Sequence, residues 1–171
     1  IAALALVINV VRYLINKPER LFVAYVQDFV GTFFIFSGVV KAIDPLGTAY
    51  KMMEYFVEFG MQFMEPLTVG FAVFMIVLEI ALGVALILNF LKPVTLFLLT
   101  GMIVFFTFLT GYTSYTGHVT DCGCFGDAIK LTPWESFYKD IILLVLISFL
   151  FIFRKDLQKK TPKWATYTAG L

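Results

Sequence analysis

Two cysteines separated by one glycine carry the clearest chemistry in this sequence. They lie in the segment His118, Val119, Thr120, Asp121, Cys122, Gly123, Cys124, Phe125, Gly126, Asp127. Three kinds of chemistry suit them. A structural disulfide between Cys122 and Cys124 would close a very small ring, and the entropic gain of a crosslink grows with ring size. Its geometry would be tight, and a strained disulfide is easily reduced. A metal site would draw on Cys122, Cys124, His118 and Asp121. Structural zinc sites, however, usually space cysteines by about two to four residues and add a second pair. No second pair exists here. The third reading is thiol–disulfide exchange, in which a thiolate attacks a partner's disulfide. A protonated His118 nearby would lower a thiol pKa, whereas Asp121 and Asp127 push it up. Spacing alone leaves all three open.

Five charges fall inside apolar stretches, and two of them, Lys139 and Asp140, make a polar first turn of the last stretch. Glu79 lies near the middle of one and Asp28 in the first half of another. Counted from the basic ends of their segments, both are about 10–14 Å deep at 1.5 Å per residue. If they face each other they would share a proton. An ionised carboxylate at that depth is expensive, so Glu79 is expected to be protonated or paired. Its bland role is a polar tie between helices. Its sharper role is a proton acceptor, or a contact to a quinone head group, coupled to cysteine oxidation. Lys41 is about 18–20 Å from Asp28 along its helix, too far to pair with it directly. It is expected at the level of the cysteine loop, one turn above Ser37, where it could stabilise a thiolate.

The elements that position these groups follow from composition. The 171 residues are 60% hydrophobic and 15% charged, against roughly 45–50% and 25% for soluble domains. Mean hydropathy is +0.90. The excess apolar surface requires lipid to face, so this is an integral membrane protein. A net charge of +1 excludes a basic field for nucleic acid. No phosphate loop or serine triad appears. Four stretches, about 22–41, 67–91, 94–112 and 136–153, are long enough to cross a bilayer as helices. Lys92-Pro93 is expected to make the tight turn between the second and third. Gly31, Gly38, Gly70, Gly83 and Gly101 are expected to supply close helix contacts.

Basic residues set the orientation. Arg12, Lys17, Arg20, Lys92, Arg154, Lys155, Lys159, Lys160 and Lys163 fall at one set of ends, and Lys41, Lys51, Lys130 and Lys139 at the other. The richer set belongs on the cytoplasmic side. Residues 41–66 and 113–135 then face outward, which puts Cys122 and Cys124 in a disulfide-permissive periplasm. In the first of these connections Lys51, Glu54, Glu58, Gln62 and Glu65 form one polar stripe at helical spacing. This predicts an amphipathic helix at the outer interface or capping the bundle. Its Met and Phe residues would also suit a docking surface. In the second, Thr132-Pro133-Trp134-Glu135 reads as a helix start with a capping box. Trp134 and Tyr138 are placed at interface depth.

The chain divides into an N-terminal amphipathic or interfacial segment, 1–20, a membrane domain, 21–155, and a cytoplasmic tail, 156–171. Ile1 without a Met, and a tail ending in Ala169, Gly170 and Leu171, read as boundaries within a longer protein.

The segment Asp121–Asp127, with Trp134 opening an apolar helix, resembles the DoxX-like group of membrane proteins, and within it the MauE type. Gly31–Pro45, with its Ser37-Gly38 pair, and Leu78–Gly83 add to the likeness, which covers about residues 20–155. The run Asp44–Tyr50 is similar to Bacteroidetes versions, and Asp28 is a departure where many relatives carry a basic or neutral residue. The resemblance implies an all-α bundle of four transmembrane helices, up and down, in the bacterial inner membrane. It also implies a role beside thioredoxin-like proteins in making or moving disulfides in the envelope. Cys122 and Cys124 would be the reacting pair, with Asp121, His118, Lys41, Glu79, Asp28 and Trp134 as candidate supporting residues. The rival expectation is a non-catalytic subunit or scaffold of a larger envelope complex.

Overall fold

The computed structural model describes residues 2–7, 10, 21–116 and 132–153. Among them there are only helices and turns. Residues 2–7 are helical. Helix α1 runs Leu21–Ile43, α2 Pro45–Glu58, α3 Thr68–Ile87, α4 Lys92–Thr116 and α5 Pro133–Ile152, with a short 3-10 helix, Gln62–Leu67, leading into α3. Among the described residues three stretches are long and apolar enough to span a bilayer: Phe22–Ile43, Gln62–Ile87 and Lys92–Thr116. The chain is a multi-pass membrane protein. Helix α5 is of similar length, but Glu135, Lys139 and Asp140 fall in its first two turns.

Helices α1 and α3 pack closest, because glycine removes the side chains between them. A Cβ on Gly83 would stand 2.7 Å from the Gly31 carbonyl oxygen, and one on Gly31 would stand 2.6 Å from Ile87 Cγ1. Gly38 sits likewise against Ile80, 2.5 Å from where its Cβ would be. Backbones that close gain dispersion contact along the whole seam. Gly70 and Gly101, expected to do the same, have nothing within 4 Å of a built Cβ. They lie away from the helix seams.

The second seam joins α4 to α5. Leu96, Leu99 and Ile103 meet Leu143, Ile147 and Leu150, all at most 3% exposed. The three-and-four spacing on both helices is the stripe that a packed helix needs. Between α3 and α4 the chain reverses at residues 88–91, not at Lys92-Pro93. Asn89 and Leu91 take positive φ values of 59° and 40°. Lys92 and Pro93 open α4 instead, where a proline's missing N–H costs nothing. At this end Gln27 donates to the Leu86 carbonyl and, at 3.0 Å, to Asn89 Oδ1.

Helix α2 starts at an Asp44 N-cap, whose carboxylate accepts the Gly47 N–H at 2.8 Å. It buries Met52, Tyr55 and Phe56. The expected single helix through residue 65 is broken. Gly60 adopts a φ of +69°, and the Met61 N–H closes back on the Phe56 carbonyl at 2.7 Å. That is a glycine-terminated helix end. The polar stripe is therefore split between α2 and the 3-10 helix. Phe59 just beyond α2 packs on the Tyr112 ring of α4 at 4.9 Å.

Candidate functional site

The cysteine segment, with His118, Asp121, Cys122 and Cys124, lies outside the described residues. Its two anchors are described. Helix α4 ends at Thr116, and α5 begins after Thr132. The second anchor is built as expected. Thr132 Oγ1 accepts the Glu135 N–H, and Glu135 Oε2 accepts the Thr132 N–H at 3.0 Å. Both anchors belong to the end of the bundle that carries Ile43 and α2.

Among the described residues two ion pairs lie inside this end of the bundle, one buried and one with its lysine half-buried. Lys41 Nζ donates to Glu79 Oε2 at 2.7 Å and to Ser37 Oγ at 3.3 Å. Lys41 also stands over the Phe106 ring, 4.9 Å from its centroid, within cation–π range. Lys139 Nζ meets Asp140 Oδ1 at 3.0 Å. Asp140 Oδ2 accepts the Thr110 hydroxyl at 3.0 Å. Ser37, Lys41, Glu79, Lys139 and Asp140 all border one small cavity of about 10 Å³, the size of a single water. Two cations and two anions, from α1, α3 and α5, thus share one pocket that α4 closes with Ile103 and Phe106.

The charges are there because each is paired. An isolated ion in apolar surroundings is far too costly, and an excellent geometry with further hydrogen bonds offsets that cost. Ser37 and Phe106 complete the shell of Lys41. Thr110 completes that of Asp140.

This arrangement corrects the expected partnership of Glu79 and Asp28. Glu79 is held by Lys41. Asp28 lies 13 residues before Lys41 on α1, about 20 Å away along the axis. It is fully buried near the other end of the bundle. The two carboxylates therefore do not share a proton. Depth counted along separate helices misled here, because it ignores how far a lysine stem reaches. Trp134 is 55% exposed and packs with Phe137 and Tyr138 at ring distances of 6.4 and 6.3 Å. It does not border the ion-pair cavity.

Sequence reading missed Lys139, Asp140, Thr110 and Tyr55. A signal existed: Thr107, Thr110 and Thr113 recur every three residues on α4, the third of these facing α2. Tyr55 is hydrogen-bonded to Thr113, and burial pushes its phenol up to about 12.

Comparison with known proteins places this architecture. The family described as methylamine utilisation protein MauE matches residues 19–153. A relative, Protein TlpB of Flavobacterium psychrophilum, is 31% identical over 145 residues, 80% of this chain. The chain spans 38% of that relative's length. No solved structure matches. With nearly all of its described helices inside the matched range, the chain belongs to the MauE family of membrane proteins.

Proposed function

We propose that this protein is the membrane-embedded redox component of a thiol–disulfide exchange system in the bacterial envelope. Cys122 and Cys124 are its reacting pair, and a periplasmic thioredoxin-like protein is its partner. The observation that supports this most is the position of the loop's anchors. Thr116 and the capped Thr132 sit at the end of the bundle where the two ion pairs lie. In this reading α1, α3, α4 and α5 all span the inner membrane, and α2 lies at its outer face. The end with Lys92 and residues 154–171 is cytoplasmic, by the excess of basic residues there.

Exchange proceeds by attack of one cysteine thiolate on a partner disulfide. This forms a mixed disulfide and releases a partner thiolate. The second cysteine then attacks the mixed bond, leaving a Cys122–Cys124 disulfide and a reduced partner. The reverse sequence oxidises the partner. The net result either way is transfer of two electrons and two protons.

Trapping tests the proposal. In native membranes, Cys122→Ser or Cys124→Ser removes the resolving thiol and accumulates a mixed disulfide, visible as a reductant-sensitive band. No such band with either variant, and normal function in both, would overturn it. Indifference to both substitutions is what a purely structural subunit predicts.

A further inference from the structure

Beside the ion pairs, between α2 and α4, lies an apolar cleft of about 300 Å³. That is the lower end of the range for ligand pockets and far above the voids of a packed interior. Its walls include Phe56, Phe59, Met61, Phe71, Phe105 and Phe108. Phe105 and Phe108 are 40% and 62% exposed on the surface of a span-length helix. The cleft therefore opens where lipid chains would meet the protein.

Met52, Tyr55 and Leu109 border this cleft and also a second, smaller cavity of about 30 Å³. The second cavity differs in chemistry. Lys41, Lys51, Thr48 and Thr110 line it, and among the described residues no carboxylate does. Glu79 and Glu54 hold the two ammonium groups from outside that lining. An ammonium has three N–H donors. Lys41 spends two, on Glu79 and Ser37. Lys51 directs its bonds to the two oxygens of Glu54 at 3.2 and 3.3 Å, on a side chain 16% exposed. Each ammonium has a third N–H beyond these bonds, and for Lys41 its neighbour is the Phe106 ring, which also lines the cavity.

We propose that the paired cavities bind an anionic membrane phospholipid, its phosphate at Lys51 and Lys41 and one acyl chain in the phenylalanine cleft. An apolar trough and a pocket lined by two ammonium groups match the two ends of such a molecule. A zwitterionic lipid would bring its own cation beside the lysines and lose that advantage.

The full chain, purified and stripped of lipid in a neutral detergent, is titrated with phosphatidylglycerol or with phosphatidylcholine of the same acyl chains. Bound lipid is counted by native mass spectrometry. One phosphatidylglycerol per chain is expected, in preference to phosphatidylcholine. Lys51→Gln, at a partly exposed site, should weaken phosphatidylglycerol about fivefold, the weight of one lysine against an anionic lipid. It should leave phosphatidylcholine unchanged. Met61→Trp, which fills the cleft, should weaken both. Equal affinity for the two lipids, a preference that survives Lys51→Gln, or binding indifferent to Met61→Trp would each overturn the proposal.

Discussion

Lys41 and Glu79 are 2.7 Å apart, on helices that run antiparallel, and their side chains are 5% and 7% exposed. This one bond ties α1 to α3 above the glycine seam. Its strength is conditional, because each charge stabilises the fold only while the other is present. Glu79→Ala leaves a buried lysine without its counter-ion and should cost about 3–5 kcal/mol. Replacing both, as Lys41→Leu with Glu79→Leu, removes the stranded charge and should recover much of that loss. Thermal unfolding of the three proteins in one detergent checks this. A double variant as unstable as the single would mean that the pair's own attraction, rather than the stranded charge, sets the cost.

The glycine seam makes a second prediction. Gly83→Ala would set a methyl 2.7 Å from a backbone oxygen and 2.8 Å from Ile35 Cγ1. Backbone cannot yield as a side-chain tip can, so the helices must separate. A cost of about 1–3 kcal/mol is expected. Gly101→Ala meets nothing within 4 Å and should stabilise by up to about 1 kcal/mol through helix propensity. Melting temperatures moving in opposite directions would confirm the assignment. A tolerated Gly83→Ala would refute the seam.

Much of this was legible in the sequence. The long apolar runs mark α1, α3 and α4, because membrane-spanning helices need length and little else. The start of α5 was legible to the residue, since Thr132, Pro133 and Glu135 each have one local role there. What escaped was rotation and reach. A sequence gives depth along each helix, but not which neighbour a side chain turns toward. Glu79 therefore looked like a match for Asp28, and Lys41, at the outer end of its helix, looked like a partner for the cysteine loop. Lys139 and Asp140 looked like a polar first turn until Thr110 closed on Asp140 from another helix. Gly60 was equally hard to read, because a stripe of polar residues at helical spacing continues straight across it.

Tyr55 should report the burial of α2 through its pH dependence. Desolvation raises its phenol from 10.0 to about 12, with the charges of Glu54 and Asp140 adding to it and the Thr113 hydrogen bond opposing it. The folded state holds this proton more tightly than the unfolded one. The stabilisation is thus complete below pH 10 and lost as pH rises towards 12, by about 3 kcal/mol at most. Absorbance near 295 nm follows the eight tyrosines. Tyr55→Phe should delete a group titrating near pH 12 and flatten the alkaline fall in stability. If the deleted group titrates near pH 10, Tyr55 is solvated and α2 is not packed as described.

The capped start of α5 links the fold to the proposed chemistry. Thr132 and Glu135 satisfy each other's backbone N–H groups, which fixes where the cysteine segment ends and the helix begins. Thr132→Ala removes the hydroxyl that accepts the Glu135 N–H and should cost about 1 kcal/mol. The helix body, held by Leu143, Ile147 and Leu150, should persist. If the cysteine segment depends on this anchor, the variant should slow mixed-disulfide formation by Cys122→Ser or Cys124→Ser while the protein stays folded. Thr132→Ser keeps the hydroxyl and should restore the rate. Trapping at the parental rate in Thr132→Ala would show that the cysteines react independently of the helix start, and that the cap serves stability alone.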